Sequence, residues 1–334
     1  MKCKRILKVS VFALIFILIF YSISGVLKRK AINGAWNFSI KTGGFYNLEE
    51  DSLDIMAIGS SHCYCGYNPI VMWNEKSVKS YVLSSQQQPI KASYYYIKEA
   101  LKTQQPQVIM LEAYMAGIDM TNPEEGVVRD AYEYFEPSLN KLEMTHDLAP
   151  KENYLEYYFS LFKYHSRWSE ITVEDFNREY KSKIDEYRGY VYLTDSTPQS
   201  KPESYETQEI DYITGENLEY LNRIVELSKE YNFQLVLWYA PYIIDEENLA
   251  RLNGIKNFAE KNSIVFINTL NMMDKLDMEQ DFYDTGHVNY RGSEKVTKYL
   301  AKSLFEKCSI NIKNSDEQIE EWNILSENYE TQKE

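Results

Sequence analysis

The sequence predicts an α/β fold: a three-layer α/β/α sandwich around a parallel sheet of about five strands, with a helical insertion and one N-terminal transmembrane helix. Three observations lead there. Short apolar runs alternate with stretches of helical length and period, which implies parallel strands joined by right-handed crossovers. That alternation stops between residues 115 and 210, and the chain opens with a long apolar run free of charge.

The apolar run spans Val9 to Leu27. At about 1.5 Å per residue it reaches roughly 28 Å, enough to cross the hydrocarbon core of a bilayer. Residues 1–8 hold Lys2, Lys4, Arg5 and Lys8 and read as the cytoplasmic end, which places residues 31 to 334 outside the cytoplasm. Lys28, Arg29 and Lys30 follow directly, and the run is long for a cleaved leader, so an uncleaved single-pass anchor is expected. Residues 28–50 read as a tether. A domain over residues 51–308 follows, in which LDIMAI (Leu53 to Ile58), closed by Gly59, is a buried strand. Next come a helix near Pro69 to Glu75, a strand at Ser80 to Leu83, a helix from Ile90 to Lys102 and a strand at Val108 to Leu111. After the insertion, helices at Glu216 to Tyr231 and Glu246 to Lys261 alternate with strands at Gln234 to Trp238 and Ile264 to Ile267, and a helix from Gly292 to Phe305 closes the domain. The insertion, with text such as YLEYYFSLFKYHSRW, is expected to be mostly helical and to shape a cleft above the carboxyl ends of the strands. Residues 309–334 carry seven acidic groups against Lys313 and Lys333 and read as a solvated or partly helical tail.

Net charge is −14, and the first thirty residues contribute +7, leaving −21 for the remainder. So acidic a body does not suit a nucleic-acid backbone. The four cysteines do not form a disulfide scaffold: Cys63 and Cys65 are too close for an unstrained bridge, Cys3 falls at the membrane end, and Cys308 stands alone. No Cys or His cluster has zinc spacing, so neither a metal nor a cofactor is expected. The 29 tyrosines fit a compositional bias before they fit a stacking surface.

Two places carry chemistry. Gly59-Ser60-Ser61-His62 follows the first strand directly, where a serine opening a helix exposes its hydroxyl and the helix start offers free N–H groups to a developing oxyanion. Asp284-Thr285-Gly286-His287 precedes the last helix, and two intervening residues let a loop turn the carboxylate onto one imidazole nitrogen while the other faces a serine. Both fall at the carboxyl end of a parallel sheet. Elsewhere, His165-Ser166-Arg167-Trp168 reads as packing, His62 as a helix-start residue, and Cys63 and Cys65 as small core fillers.

The pair of motifs resembles the SGNH/GDSL hydrolase superfamily. That resemblance implies Ser61 as nucleophile, His287 as general base and Asp284 as its orienting acid, with Ser60 standing where better-known members have Asp. Asn68-Pro69, Ser84-Ser85-Gln86, Tyr94-Tyr95-Tyr96 and the strand after Pro106 ending in Glu112 look similar to a membrane-anchored branch. That branch includes the teichoic-acid D-alanyl transfer proteins and the partners of membrane-bound O-acyltransferases in polysaccharide acetylation. The sequence departs from the family after the third strand, where Glu112-Ala113-Tyr114 replaces the Gly-x-Asn block that supplies an oxyanion donor. Ser60, Ser85, Gln86 and Glu112 are therefore the candidate oxyanion or substrate-binding residues. The expectation is an extracytoplasmic serine O-acyltransferase or esterase on a cell-surface carbohydrate or polyol polymer, served by a membrane-bound O-acyltransferase partner. A carbohydrate-ester deacetylase and a non-catalytic polymer-binding or scaffold protein are the alternatives.

Overall fold

The computed structural model describes residues 2–202 and 204–333, without the side chains of Lys2 and Cys3. Expectations resting on those two side chains, on Met1 and on Glu334 lie outside the described residues. In chain order the elements are α1 (Lys2–Leu27), α2 (Phe38–Phe45), β1 (Ile55–Gly59), α3 (Ser61–Gly66), α4 (Pro69–Lys76), β2 (Ser80–Ser84), α5 (Ile90–Ala100) and β3 (Val108–Glu112). The insertion contributes α6 (Glu125–Tyr132), α7 (Leu139–Leu148), α8 (Tyr154–Tyr158) and α9 (Ser160–Tyr164), then 3₁₀ turns between His165 and Ser182. The domain resumes with α10 (Gly215–Glu230), β4 (Gln234–Tyr239), α11 (Glu246–Lys261), β5 (Val265–Asn268) and α12 (Tyr290–Lys307), and α13 (Asp316–Thr331) follows.

The five strands form one parallel sheet in the order β2-β1-β3-β4-β5. β1, β2 and β3 are wholly buried, and β4 is buried past Gln234, because helices cover both faces, whereas the edge strand β5 is only half-buried. Right-handed crossovers put α3 and α4 on one face and α5, α10 and α11 on the other. Accordingly α5 packs on α10, and α12 returns to pack on α4 and α3. The direction of winding reverses between β1 and β3, which opens a crevice at their carboxyl ends. Local chemistry starts the helices that matter: Asn68 caps α4 ahead of Pro69, Asp245 caps α11, and Asn289 caps α12 through two backbone N–H groups.

Three regions differ from expectation. Residues 28–50 are not a free tether, because α2 buries Phe38 and Phe45, and Lys41 makes a fully buried ion pair with Asp185 at 3.2 Å. Burial holds the Lys41 ammonium below its usual range despite that carboxylate. The acidic tail is a docked helix: a Ser315–Gln318 capping box starts α13, and Trp322 stacks on Trp73 at 5.5 Å. Within the helical half of the insertion, α9 and the 3₁₀ turns after it pack on α1, with Phe159 edge-on to Phe20 at 5.5 Å and Leu161 N–H donating to Ser24 Oγ at 3.2 Å, whereas α7 packs on α5 and α6 reaches the end of β2. The insertion's extended second half reaches the strand ends as a strap. Val191 N–H donates to Tyr64 O at 2.8 Å, Tyr290 N–H to Leu193 O at 2.9 Å, and Thr197 N–H to Phe282 O at 2.8 Å. The strap turns at Gly189, whose φ of +89° and close approach to Val82 O leave no room for a Cβ.

Helix α1 is long and apolar enough, over Lys4–Leu27, to cross a membrane, and it is almost wholly exposed along that run.

Candidate active site

Strand β1 ends at Gly59, and Ser60 takes the cap position of α3, its hydroxyl accepting from His62 N–H at 3.4 Å. Ser61 is therefore the first residue of α3, at the winding reversal, with its backbone N–H among the orphan donors of a helix start. Across the crevice, the loop before α12 is pinned at its base. The Asp281 carboxylate is buried and receives Asp277 N–H at 2.7 Å and Lys295 Nζ at 2.5 Å, while Phe282 and Val288 pair as an antiparallel bridge. Gly292 belongs to the same base, since a Cβ there would stand 2.4 Å from Asp281 O.

The pinned loop carries Asp284 and His287 at its tip. Asp284 Oδ1 accepts Gly286 N–H and His287 N–H, each at 2.8 Å, and lies 2.9 Å from His287 Nδ1, with Oδ2 at 3.1 Å. His287 Nε2 lies 2.8 Å from Ser61 Oγ. A carboxylate on Nδ1 selects the Nδ1–H tautomer and leaves the Nε2 lone pair free to accept from the serine hydroxyl. The arrangement is a hydrogen-bonded chain from Asp284 through His287 to Ser61. Part of its surface is open, with the His287 side chain 25% exposed.

The remaining sequence candidates are placed otherwise. Glu112 is buried under the nucleophile turn, where its carboxyl accepts from Ser60 Oγ at 3.2 Å and from Tyr114 N–H at 3.0 Å. It ties the ends of β1 and β3 together. Burial raises its carboxyl to about 7 against those hydrogen bonds, so near neutrality it is partly protonated. Ser85 donates its hydroxyl to Gln88 Oε1 at 3.0 Å, and Gln86 gives its backbone N–H to Asp130 Oδ2 on α6 at 2.8 Å. Neither group is free to serve an oxyanion in this arrangement. In the HSRW stretch, Arg167 pairs with Asp175 at 3.1 Å, whereas Trp168 is exposed and unpacked. Cys63, Cys65 and Cys308 are free thiols in the core.

Sequence reasoning missed the walls of the crevice. The His62 ring lies 4.4 Å from Tyr114, 5.1 Å from Tyr242 and 5.4 Å from His287. Burial, with His287 beside it, depresses His62 to about 3, so it is a neutral ring throughout the working range. Tyr64, one turn beyond Ser61 on α3, sets its phenol beside the Ser61 hydroxyl. The available signal was positional: Tyr114 and Tyr242 are among the first residues past β3 and β4, where side chains of a parallel sheet converge.

No protein-family model matches the chain, and no curated protein matches it. Two solved structures are similar in fold at low scores. One, described as of the lipolytic G-D-S-L family and from Desulfitobacterium hafniense DCB-2, is 11% identical with a TM-score of 0.39, covering 75% of this chain and 98% of its own. The other, described as GDSL-like and lipase and from Parabacteroides merdae ATCC 43184, is 12% identical with a TM-score of 0.34, covering 78% of this chain and 98% of its own.

Proposed function

We propose that the chain is a membrane-anchored serine esterase or O-acyltransferase whose domain faces the outside of the cell. The observation that supports it best is the 2.8 Å approach of His287 Nε2 to Ser61 Oγ with Asp284 on the opposite ring nitrogen. Ser61 Oγ attacks the carbonyl carbon of an acyl ester while its proton passes to His287 Nε2, and Asp284 stabilises the imidazolium. The Ser61 N–H at the start of α3 faces the oxyanion. Collapse expels the alcohol, which takes the proton from Nε2, and a second alcohol or water, deprotonated by His287, releases the acyl group.

Transfer is favoured over hydrolysis by the donor count. With the Ser85 hydroxyl and the Gln86 N–H engaged elsewhere and Glu112 held by Ser60, those groups are not donors to the oxyanion. A missing donor typically costs about 2.7 to 4 kcal/mol of transition-state stabilisation for water and alcohol alike, a loss that the proximity of a positioned hydroxyl offsets and free water does not. The acceptor would be a cell-surface carbohydrate or polyol polymer, and the acyl donor a membrane-bound O-acyltransferase partner kept nearby by the anchor. The test is a fluorophosphonate probe on the full chain in detergent, followed by aryl acetate turnover with and without an oligomeric polyol. Labelling at Ser61 with acceptor-stimulated turnover supports transfer. Labelling with acceptor-indifferent, fast hydrolysis supports an esterase, and no labelling removes the catalytic reading. A reporter active only outside the cytoplasm, fused after Lys333, tests the orientation.

A further inference from the structure

A cavity of about 800 Å³ lies between the C-terminal half of α1 and the first half of the insertion, and its lining includes none of Ser61, Asp284 and His287. Its walls are of two kinds. Ile17, Phe20 and Tyr21 of α1 share an apolar side with Leu139, Leu142 and Phe159. Lys28, Lys141 and Lys181 line the same space with the carboxylates of Glu133 and Glu136, and Arg29 and Lys30 beside them pair outside it with Glu170 and Asp175. Of these cations only Lys141 and Lys181 come from the part of the chain past residue 30, which sums to −21.

Two of these ammonium groups make no ion pair among the described residues, lying instead over tyrosine rings, Lys28 over Tyr134 at 5.6 Å and Lys141 over Tyr132 at 5.0 Å. Lys141 Nζ donates to the carbonyls of Phe135 at 2.6 Å and Glu133 at 3.4 Å, and Lys28 Nζ donates to the Glu133 carbonyl. Among the described residues neither pairs with a carboxylate, and the Glu133 side chain is itself taken by Tyr164 Oη at 2.7 Å. Burial, with Lys28 as the next cause, pushes Lys141 down to about 7. An anion in the cavity would supply what the protein does not.

The place of the cavity narrows the ligand. From Ile17 to Lys28 the helix rises about 16 Å, so the cavity runs from inside the apolar run to its basic end. The segments packed on this part of α1 expose apolar side chains to the surroundings: Phe162 on α9, Trp168, Val173 and Phe176 in the 3₁₀ turns. Such a skin fits immersion in lipid and not contact with water.

We propose that the cavity binds a membrane amphiphile, its hydrocarbon chain along Ile17 to Tyr21 and its anionic head between Lys28 and Lys141. This rests on the membrane placement of α1 proposed above, not on the Ser61 chemistry. Tyr134, on the lining, packs on Phe38 at 6.4 Å, and Phe38 packs on Tyr64 at 5.2 Å. An occupied cavity therefore sits two rings from the residue beside Ser61. The shared chemistry, a long hydrocarbon chain with a phosphate, belongs both to bilayer phospholipids and to polyprenyl phosphates.

The experiment uses the full chain in phosphatidylcholine nanodiscs doped with phosphatidylglycerol bearing a diazirine on its acyl chain, with cross-links mapped by mass spectrometry. Cross-links are expected within residues 132–142 and 157–160. Lys141→Gln should lower them on the order of tenfold, as for loss of a charged hydrogen bond. Leu142→Trp, which fills the cavity and keeps every charge, should do the same, and unchanged near-ultraviolet circular dichroism shows that both variants are folded. Displacement by unlabelled phosphatidylglycerol or by undecaprenyl phosphate supports the proposal, and the stronger competitor names the source. Cross-links confined to residues 4–16, equal labelling by a phosphatidylcholine analogue, or labelling unaffected by both variants overturns it. Carbonate extraction of native membranes separates the two failures: a released chain sinks the anchor itself, and a retained chain without cavity cross-links sinks only the binding site.

Discussion

The sheet and the insertion hold similar apolar side chains in opposite circumstances. Ile55 to Ile58 of β1 and Val108 to Leu111 of β3 are wholly buried between helical layers, whereas Leu139, Trp168 and Val173 in the insertion are each more than 70% exposed. The sheet closes its own core. The insertion buries Val128, Phe135 and Met144 in the same way but leaves Leu139, Trp168 and Val173 without a partner among the described residues of the chain. The difference teaches that an apolar residue reports its burial only when its partner is in the same chain.

Five measurements test that contrast. The largest effect belongs to the sheet's functional end: Ser61→Ala should lower ester turnover by on the order of 10³-fold or more, with the melting temperature unchanged. Equal turnover by the variant would remove Ser61 from the chemistry. Next is the junction between the two regions, where Lys41→Met leaves Asp185 buried without a counter-ion and should cost about 3–5 kcal/mol in urea unfolding. Met110→Ala, in the middle of β3, should cost about 2–5 kcal/mol by opening a cavity among fixed neighbours.

The fourth effect depends on pH. Glu112 has a folded value of about 7 against an ordinary 4.5, so the folded state holds its proton more tightly than the unfolded chain. Its favourable contribution is complete below about pH 4.5 and is lost as pH rises through 7. Glu112→Gln should therefore exceed the parent in stability at pH 8 by up to about 3 kcal/mol, at 1.36 kcal/mol per unit, and the gap should close toward pH 5. Thermal melts of both proteins across that range decide it; a gap that widens on acidification refutes the assignment. The smallest effect lies on the insertion: Trp168→Ser should stay within about 0.5 kcal/mol in detergent. A loss as large as that of Met110→Ala would mean that the insertion's surface is packed after all, and the contrast would fail.

The same contrast explains what the sequence makes legible. Strands such as Leu53 to Ile58 and helices with a stripe facing them announce themselves, because both partners obey fixed periods. The Asp284-x-x-His287 spacing is legible for a similar reason, being a local turn that needs nothing distant to form. Helix α2 is not, since FSIKTGGF has a weak pattern and its decisive contact joins Lys41 to a residue 144 positions away. The docking of α13 hides in the same way behind Trp73 and Trp322. Glu112 could be flagged as out of place, but its role as a bracket under Ser60 depends on a register between strands that no local pattern encodes.

The strap turning at Gly189 also decides how neighbouring copies meet. Strand β2 is an edge of the sheet, and an open edge invites a strand from another molecule. Here Val82 gives its N–H to Arg188 O at 2.8 Å, and the Gly189 backbone is pressed against Val82 O. The middle of the edge is thus already occupied by a stretch of chain too curved to be extended by another strand. On the opposite side β5 spans only four residues. Neighbouring copies would find no edge long enough to start a ribbon, and self-association would have to proceed through side-chain surfaces.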